Sequence, residues 1–181
     1  TERVTPSIAV LLNVSENHLD WHGSFEDYFG AKKKLVLRQG PGDAAVLNRD
    51  DRLVWGLAAE AASAVRGFSR KRRLARGAFV EDGWVVVRGD RTERIAPVAR
   101  LPLPGAHNLE NVLAAALVGR LLGVPALSLR RSILSFRGLE HRLEDAGCAG
   151  GVQAPASATS AQQARTGTRR KEVKGDTVRA L

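Results

Sequence analysis

Four short segments of this 181-residue chain carry side chains whose types and spacing could do chemistry. The first, Asn13-Val14-Ser15-Glu16-Asn17-His18-Leu19-Asp20, follows directly on an apolar run. At the carboxyl end of a buried parallel strand, His18 and Asp20 would face the usual ligand crevice of an open α/β sheet and could touch metal or phosphate. Taken alone, a His and an Asp in a loop are more often solvated or locally capping than ligating, so the pair by itself does not select that chemistry. The second segment is Tyr28-Phe29-Gly30-Ala31-Lys32. A helix lysine is ordinarily a solvated surface group, and with Lys33 and Lys34 beside it, spacing gives no reason to select Lys32. The third is Gly105-Ala106-His107-Asn108-Leu109-Glu110-Asn111, where Asn108 and Asn111 lie three apart at a helix start and share one face. Their amides could hold a purine base or a metal-bound water, or Asn108 could simply cap the helix. The fourth, Phe136-Arg137-Gly138-Leu139-Glu140-His141-Arg142-Leu143-Glu144, sets His141 and Arg142 after a glycine turn. They could present a cation to phosphate or stack on a base, or form a salt-bridged surface turn.

The elements that must position these segments are legible from periodicity. Residues 8–14 form an apolar run that predicts a buried parallel strand. Ser24 is a good N-cap, Glu26 and Asp27 place acids in the first turn, and the predicted helix runs to about Arg38 before Gly40-Pro41-Gly42. Residues 44–47 predict a second strand, Asp50-Asp51 cap a helix to about Ala62, and residues 64–68 predict a third strand. From Gly77 to Val98 the apolar runs shorten and alternate, with turn signals at Asp82-Gly83 and Gly89-Asp90, which predicts an antiparallel meander. Arg88-Gly89-Asp90 is read there as a turn. Pro104-Gly105 introduces a long apolar helix from about Asn108 to Leu122, and a shorter helix follows over about 127–135. The fold class expected is α/β, a largely parallel sheet with flanking helices and a small antiparallel insert. After about Ala146 the chain turns to Ala, Gly, Ser, Gln and Thr with almost no large apolar residue, a composition that cannot bury a core. Residues 1–145 are therefore expected as one domain, and 146–181 as a disordered or out-of-frame tail.

Composition narrows the function classes. A hydrophobic fraction of 44% with 26% charged residues is that of a globular protein. No apolar run is long enough to cross a bilayer, and no secretory leader pattern is visible, so a cytoplasmic protein without a membrane partner is expected. The single cysteine, Cys148, excludes an internal disulfide and fits a reducing compartment. The net charge of +9 invites a nucleic-acid reading. Apart from Lys32-Lys33-Lys34, Arg70 to Arg73 and Arg169-Arg170-Lys171, the basic residues are spread out, and one Tyr and five Phe do not interleave with them as a stacking platform requires. Anionic small molecules such as nucleotides would use the same positive potential.

Taken in order, NVSENHLDWHGSFEDYFGAK, AAVLNRDD, LPGAHNLENVLAAAL and FRGLEHRLE resemble the Mur ligase family over residues 6–144, and the last points to its D-glutamate-adding branch. The resemblance implies most of the central ATP-binding domain of a three-domain peptidoglycan-precursor ligase. Its cofactors would be ATP and Mg²⁺, and its substrates UDP-N-acetylmuramoyl-L-alanine and D-glutamate. ATP phosphorylates the carboxylate of the first substrate, and the amine of the second attacks the acyl phosphate. By position, His18 would help bind magnesium, and Lys32 would be the lysine carbamylated by CO₂, giving oxygen donors suited to that hard cation. Asn108 and Asn111 would lie beside the nucleotide, with Asn111 nearest the adenine. His141 and Arg142 would close on ATP from the hinge to the third domain. The family's Gly-x-x-Gly-Lys-Ser/Thr loop and its Asn-Asp-Ser-Lys-Ala-Thr-Asn segment are not in this sequence, and there is no methionine. A monomeric fragment without ligation of its own is therefore expected. Two alternatives stay open: a non-catalytic nucleotide- or polyanion-binding remnant, and a fragment of another Mur or folate-type amide ligase.

Overall fold

The structure, a computed structural model, describes residues 5–14 and 25–138. Its elements are β1 (Ile8–Leu11), α1 (Phe25–Leu37), β2 (Ala44–Asn48), α2 (Arg52–Gly56), β3 (Ala64–Ser69), β4 (Gly77–Glu81), β5 (Trp84–Arg88), β6 (Thr92–Pro97), α3 (Ala106–Leu121) and α4 (Ala126–Ser135). Short 3₁₀ turns, Leu57–Ala59 and Val98–Arg100, follow α2 and β6. The expected domain boundary at 145/146 and the tail beyond it lie outside the described residues.

All six strands form one sheet in the order β1-β2-β3-β4-β5-β6. The first four are parallel, and β4-β5-β6 are antiparallel. The meander is therefore not set apart from the parallel sheet: β4 pairs directly with β3. Only a seven-residue turn joins them, far shorter than the usual crossover between parallel strands. It suffices because β4 begins opposite Gly67, two residues before β3 ends, so the chain retraces only a short distance. Gly77 makes that return possible. Its φ is +129°, and a Cβ there would lie 2.0 Å from the Gly67 carbonyl oxygen.

Side-chain alternation divides the core between the two faces of the sheet. Ala9, Leu11, Ala45 and Leu47 point to one side and pack with Val36 of α1, Val54 of α2 and Leu57. Val46, Phe68, Ala78, Val85, Val87 and Ile95 point to the other, against Leu113, Ala114, Ala116 and Leu117 of α3. A central strand buried on both faces explains why β2 reads as a continuous apolar run. Gly119 lets α4 approach α3 closely, since a Cβ at that position would clash with the Leu129 side chain. Arg130 of α4 finishes the β6 edge: its guanidinium donates to the carbonyls of Ile95 (2.6 Å) and Arg94 (2.8 Å). It also lies over the Trp84 ring, 5.3 Å from the centroid.

α2 is shorter than the sequence predicts. The chain passes after Gly56 into the 3₁₀ turn, where Glu60 and Ala61 donate to the Leu57 carbonyl while Leu57 stays buried. The Ala-rich stretch after it has helix propensity, but the chain must turn back to begin β3 at Ala64.

The Gly67–Gly77 contact gives a direct test. Gly77→Ala should lower the urea unfolding free energy by about 3 kcal/mol or more, because it adds both backbone strain and an atomic overlap. Unchanged stability would contradict the β3–β4 pairing.

Candidate functional site

Parallel strands deliver their carboxyl ends to one side of the sheet, and in β1, β2 and β3 polar residues cluster there. Asn48 is the last residue of β2 and is fully buried. Its Nδ2 donates to Asn13 Oδ1 (2.8 Å), and its Oδ1 accepts from the Asp50 amide (2.9 Å). Asn13 Nδ2 in turn donates to Glu110 Oε2 on α3 (3.0 Å). The second Glu110 oxygen, Oε1, accepts from Arg70 Nε at 2.7 Å. The Glu110 side chain is 10% exposed, so this charge-assisted pair is partly withdrawn from water. A chain of polar contacts thus crosses from β2 through β1 to the first turns of α3 and on to the turn after β3.

Two aspartates fix the loops around it. Asp51 caps α2 by accepting from the Leu53 and Val54 amides, and its other oxygen accepts from the Val14 amide at 3.0 Å. Asp50 accepts from Ser69 Oγ (2.7 Å) and from the Arg70 amide (2.9 Å). Ser69 Oγ accepts from the amides of Lys71 and Arg72. The basic turn 70–73 is therefore held by side chain–backbone hydrogen bonds. Among the described residues, no buried side-chain nitrogen or oxygen lacks a partner.

α3 begins at Ala106, and its N-cap is Gly105, at φ +105°. Asn108 therefore does not cap the helix. It lies one turn inside, is buried, and its Nδ2 folds back onto the Pro104 carbonyl at 2.7 Å. Asn111 is exposed, and its side chain makes no hydrogen bond to the described residues. Both asparagines border a groove of about 350 Å³ between α3, α4 and the segment before α3, walled by Leu103, Val112, Leu129, Ile133 and Phe136. A second, wider concavity of about 530 Å³ runs between β1 and α3, lined by Val10, Leu12, Ala114, Ala115 and Val118, and Asn111 stands on the rim that the two share.

Lys32 lies on α1 with its Nζ 4.8 Å from the Tyr28 ring centroid. His18, Asp20, His141 and Arg142 lie outside the described residues. The structure thus brings Asn108 and Asn111 to one groove and places Lys32 on the helix that follows β1. Among the described residues, no three or more His, Cys, Asp or Glu side chains gather as metal ligands.

Asn13, Asn48, Arg70 and Glu110 were not selected from sequence. Asn13, Asn48 and Glu110 lie within the four quoted segments and Arg70 in the basic run 70–73, but no local pattern connects them. Asn13 and Glu110 are 97 residues apart, and Arg70 and Glu110 are 40 apart. A buried glutamate on the inward side of an otherwise apolar helix was the one available signal.

Fold and site together define a three-layer α/β domain with a polar crevice at the carboxyl ends of its parallel strands, the position where open sheets of this kind receive ligands. A model of the Mur ligase middle domain matches residues 1–119. The chain belongs to the Mur ligase family. It is 47% identical over 155 residues to the UDP-N-acetylmuramoylalanine–D-glutamate ligase of Acidobacterium capsulatum, covering 84% of this chain and 34% of that protein. The ligase of the same name from Bacillus subtilis is 39% identical over 144 residues, covering 80% of this chain and 31% of the relative. The chain therefore spans about a third of the length of the curated relatives it matches. Among solved structures, MurF from Acinetobacter baumannii superposes with a TM-score of 0.60 at 19% identity, covering 78% of this chain and 31% of that one. MurF from Thermotoga maritima in complex with ADP gives 0.51 at 20% identity, covering 75% and 32%.

The asparagine bridge predicts an order of effects. Asn13→Ala removes partners from both Asn48 and Glu110 and should cost about 1–3 kcal/mol. Asn13→Asp should cost more, since it sets a carboxylate against Glu110. Urea unfolding of the two variants checks the order, and an aspartate variant as stable as the parent would contradict it.

Proposed function

We propose that this chain is a segment of an ATP-dependent, peptidoglycan-precursor ligase that joins D-glutamate to UDP-N-acetylmuramoyl-L-alanine in the cytoplasm. Its contribution would be most of the central nucleotide-binding domain. The observation that carries the reading is the first turns of α3. There an exposed amide, Asn111, stands at the rim of an apolar groove of about 350 Å³, within the range of small-ligand sites. A purine has flat apolar faces and a polar edge, so it suits a groove walled by Val112, Ile133 and Phe136 with a free carboxamide at its border. The sequence similarity to the D-glutamate ligases supports the choice of substrates.

For the base, the residues present fit. For magnesium, the described residues do not suffice, since no three His, Cys, Asp or Glu side chains gather among them. Lys32 and His18 are the residues we assign to it, Lys32 after conversion of its amine to a carbamate, which exchanges a cation for oxygen donors. Bound magnesium would supply charge neutralisation on the transferred phosphoryl group. His141 and Arg142 would add cationic contacts to the nucleotide, and Asn108 would hold the turn on which Asn111 sits. The domain limits 1–145 and the monomeric state belong to the same proposal. By itself the 181-residue chain should make no product. Nothing in it matches the Gly-x-x-Gly-Lys-Ser/Thr pattern that would cradle a triphosphate.

A chimera tests the reading. Residues 6–138 replace the matching third of the Bacillus subtilis relative, and ADP release dependent on both substrates is measured. The chimera should turn over, and Lys32→Ala within it should lower the rate by about 100-fold or more. A folded chimera that binds ATP yet forms no product, or one indifferent to Lys32, would overturn the assignment.

A further inference from the structure

We propose that Glu110 is a positioning residue for the nucleotide base, acting through Asn111; the proposal rests on the nucleotide reading given above. Glu110 and Asn111 are neighbours on α3, but they face different ways. Asn111 is exposed at the groove, whereas Glu110 is 7% exposed and turned toward the strand ends. There its two carboxylate oxygens are divided between two elements. Oε1 takes Arg70 Nε, on the turn after β3, and Oε2 takes Asn13 Nδ2, at the exit of β1. Asn13 is itself held by Asn48.

A carboxylate shared in this way fixes both the rotation of the helix about its axis and its height above the sheet. Apolar packing holds this part of the helix on one side, where Leu109, Val112 and Leu113 meet the core. Gly105 gives α3 no side-chain cap, and the Asn108 amide is committed to the Pro104 carbonyl. On the β1 side, Val10 and Leu12 are 38% and 36% exposed and leave the helix without a close wall. Among the described residues, the polar tie through Glu110 links the first two turns of α3 to β1 and to the turn after β3. Displacing those turns by a fraction of an ångström would move Asn111 relative to the groove without unfolding the sheet. Loss of the tie should therefore be read first in ligand affinity.

The test uses the 181-residue chain itself, ¹⁵N-labelled, with adenosine as the probe. Binding is followed by amide shifts for the parent, Glu110→Gln, Arg70→Met, Asn111→Ala and the Glu110→Gln/Asn111→Ala double variant. Glu110→Gln and Arg70→Met should each weaken adenosine by about fivefold or more while retaining a dispersed native spectrum. In the Asn111→Ala background, Glu110→Gln should have no further effect, because its action runs through that side chain. A purely structural role would lower affinity equally in both backgrounds, and that result, or parental affinity in a folded Glu110→Gln chain, overturns the proposal. If the parent shows no shifts with adenosine at all, the nucleotide reading itself fails, and the positioning role falls with it.

Discussion

The site depends on a buried carboxylate that has found two partners. Glu110 sits on a helix whose buried residues after it are Leu113, Ala114, Ala116, Leu117 and Gly119, and a charge in that company is costly unless it is fully engaged. Arg70 and Asn13 engage it, and each is itself placed by a strand end. Removing either partner would leave a partly buried charge short of contacts, which is more destabilising than the modest net worth of the pair suggests. The result is a joint, at the carboxyl edge of the sheet, among three parallel strands and the helix that carries the groove asparagines.

That joint is possible because the strands are parallel and nearly in register. Ile8 lies opposite Ala44, and Ala44 opposite Ala64, so β1, β2 and β3 release their chains at similar heights. Asn13, Asn48 and Ser69 then emerge side by side. The antiparallel half of the sheet plays a different part. It extends the surface on which α3 and α4 pack, and Arg130 closes its outer edge by satisfying two β6 carbonyls. Among the described residues, no strand pairs with the opposite edge of β1, where Val10 and Leu12 border an apolar concavity beside α3.

Much of this architecture is legible in the sequence, for reasons that vary by element. β1 and β2 stand out because strands buried on both faces are continuous apolar runs ending in polar residues. α1 and α3 are bracketed by glycine and proline signals, and their observed limits fall within two residues of those expected. α2 is misjudged because alanine content reports propensity, whereas tertiary geometry ends that helix at Gly56. The place of the meander in the same sheet was not legible, since pairing of β4 with β3 depends on Gly77 meeting Gly67 and not on any local pattern. Of the candidate site, Asn108 and Asn111 were visible as a spaced pair, and Lys32 only through resemblance. The Asn48–Asn13–Glu110–Arg70 tie was invisible because its members are brought together by topology alone.

The most direct test of this account is where an adenine base sits on the molecule. A crystal structure of the chain soaked with adenosine should show the purine between α3 and α4, its faces against Val112, Ile133 and Phe136 and its polar edge toward Asn111. A base found instead in the concavity between β1 and α3, or away from Asn111 altogether, would contradict the assignment of this groove and the role given to the helix that frames it.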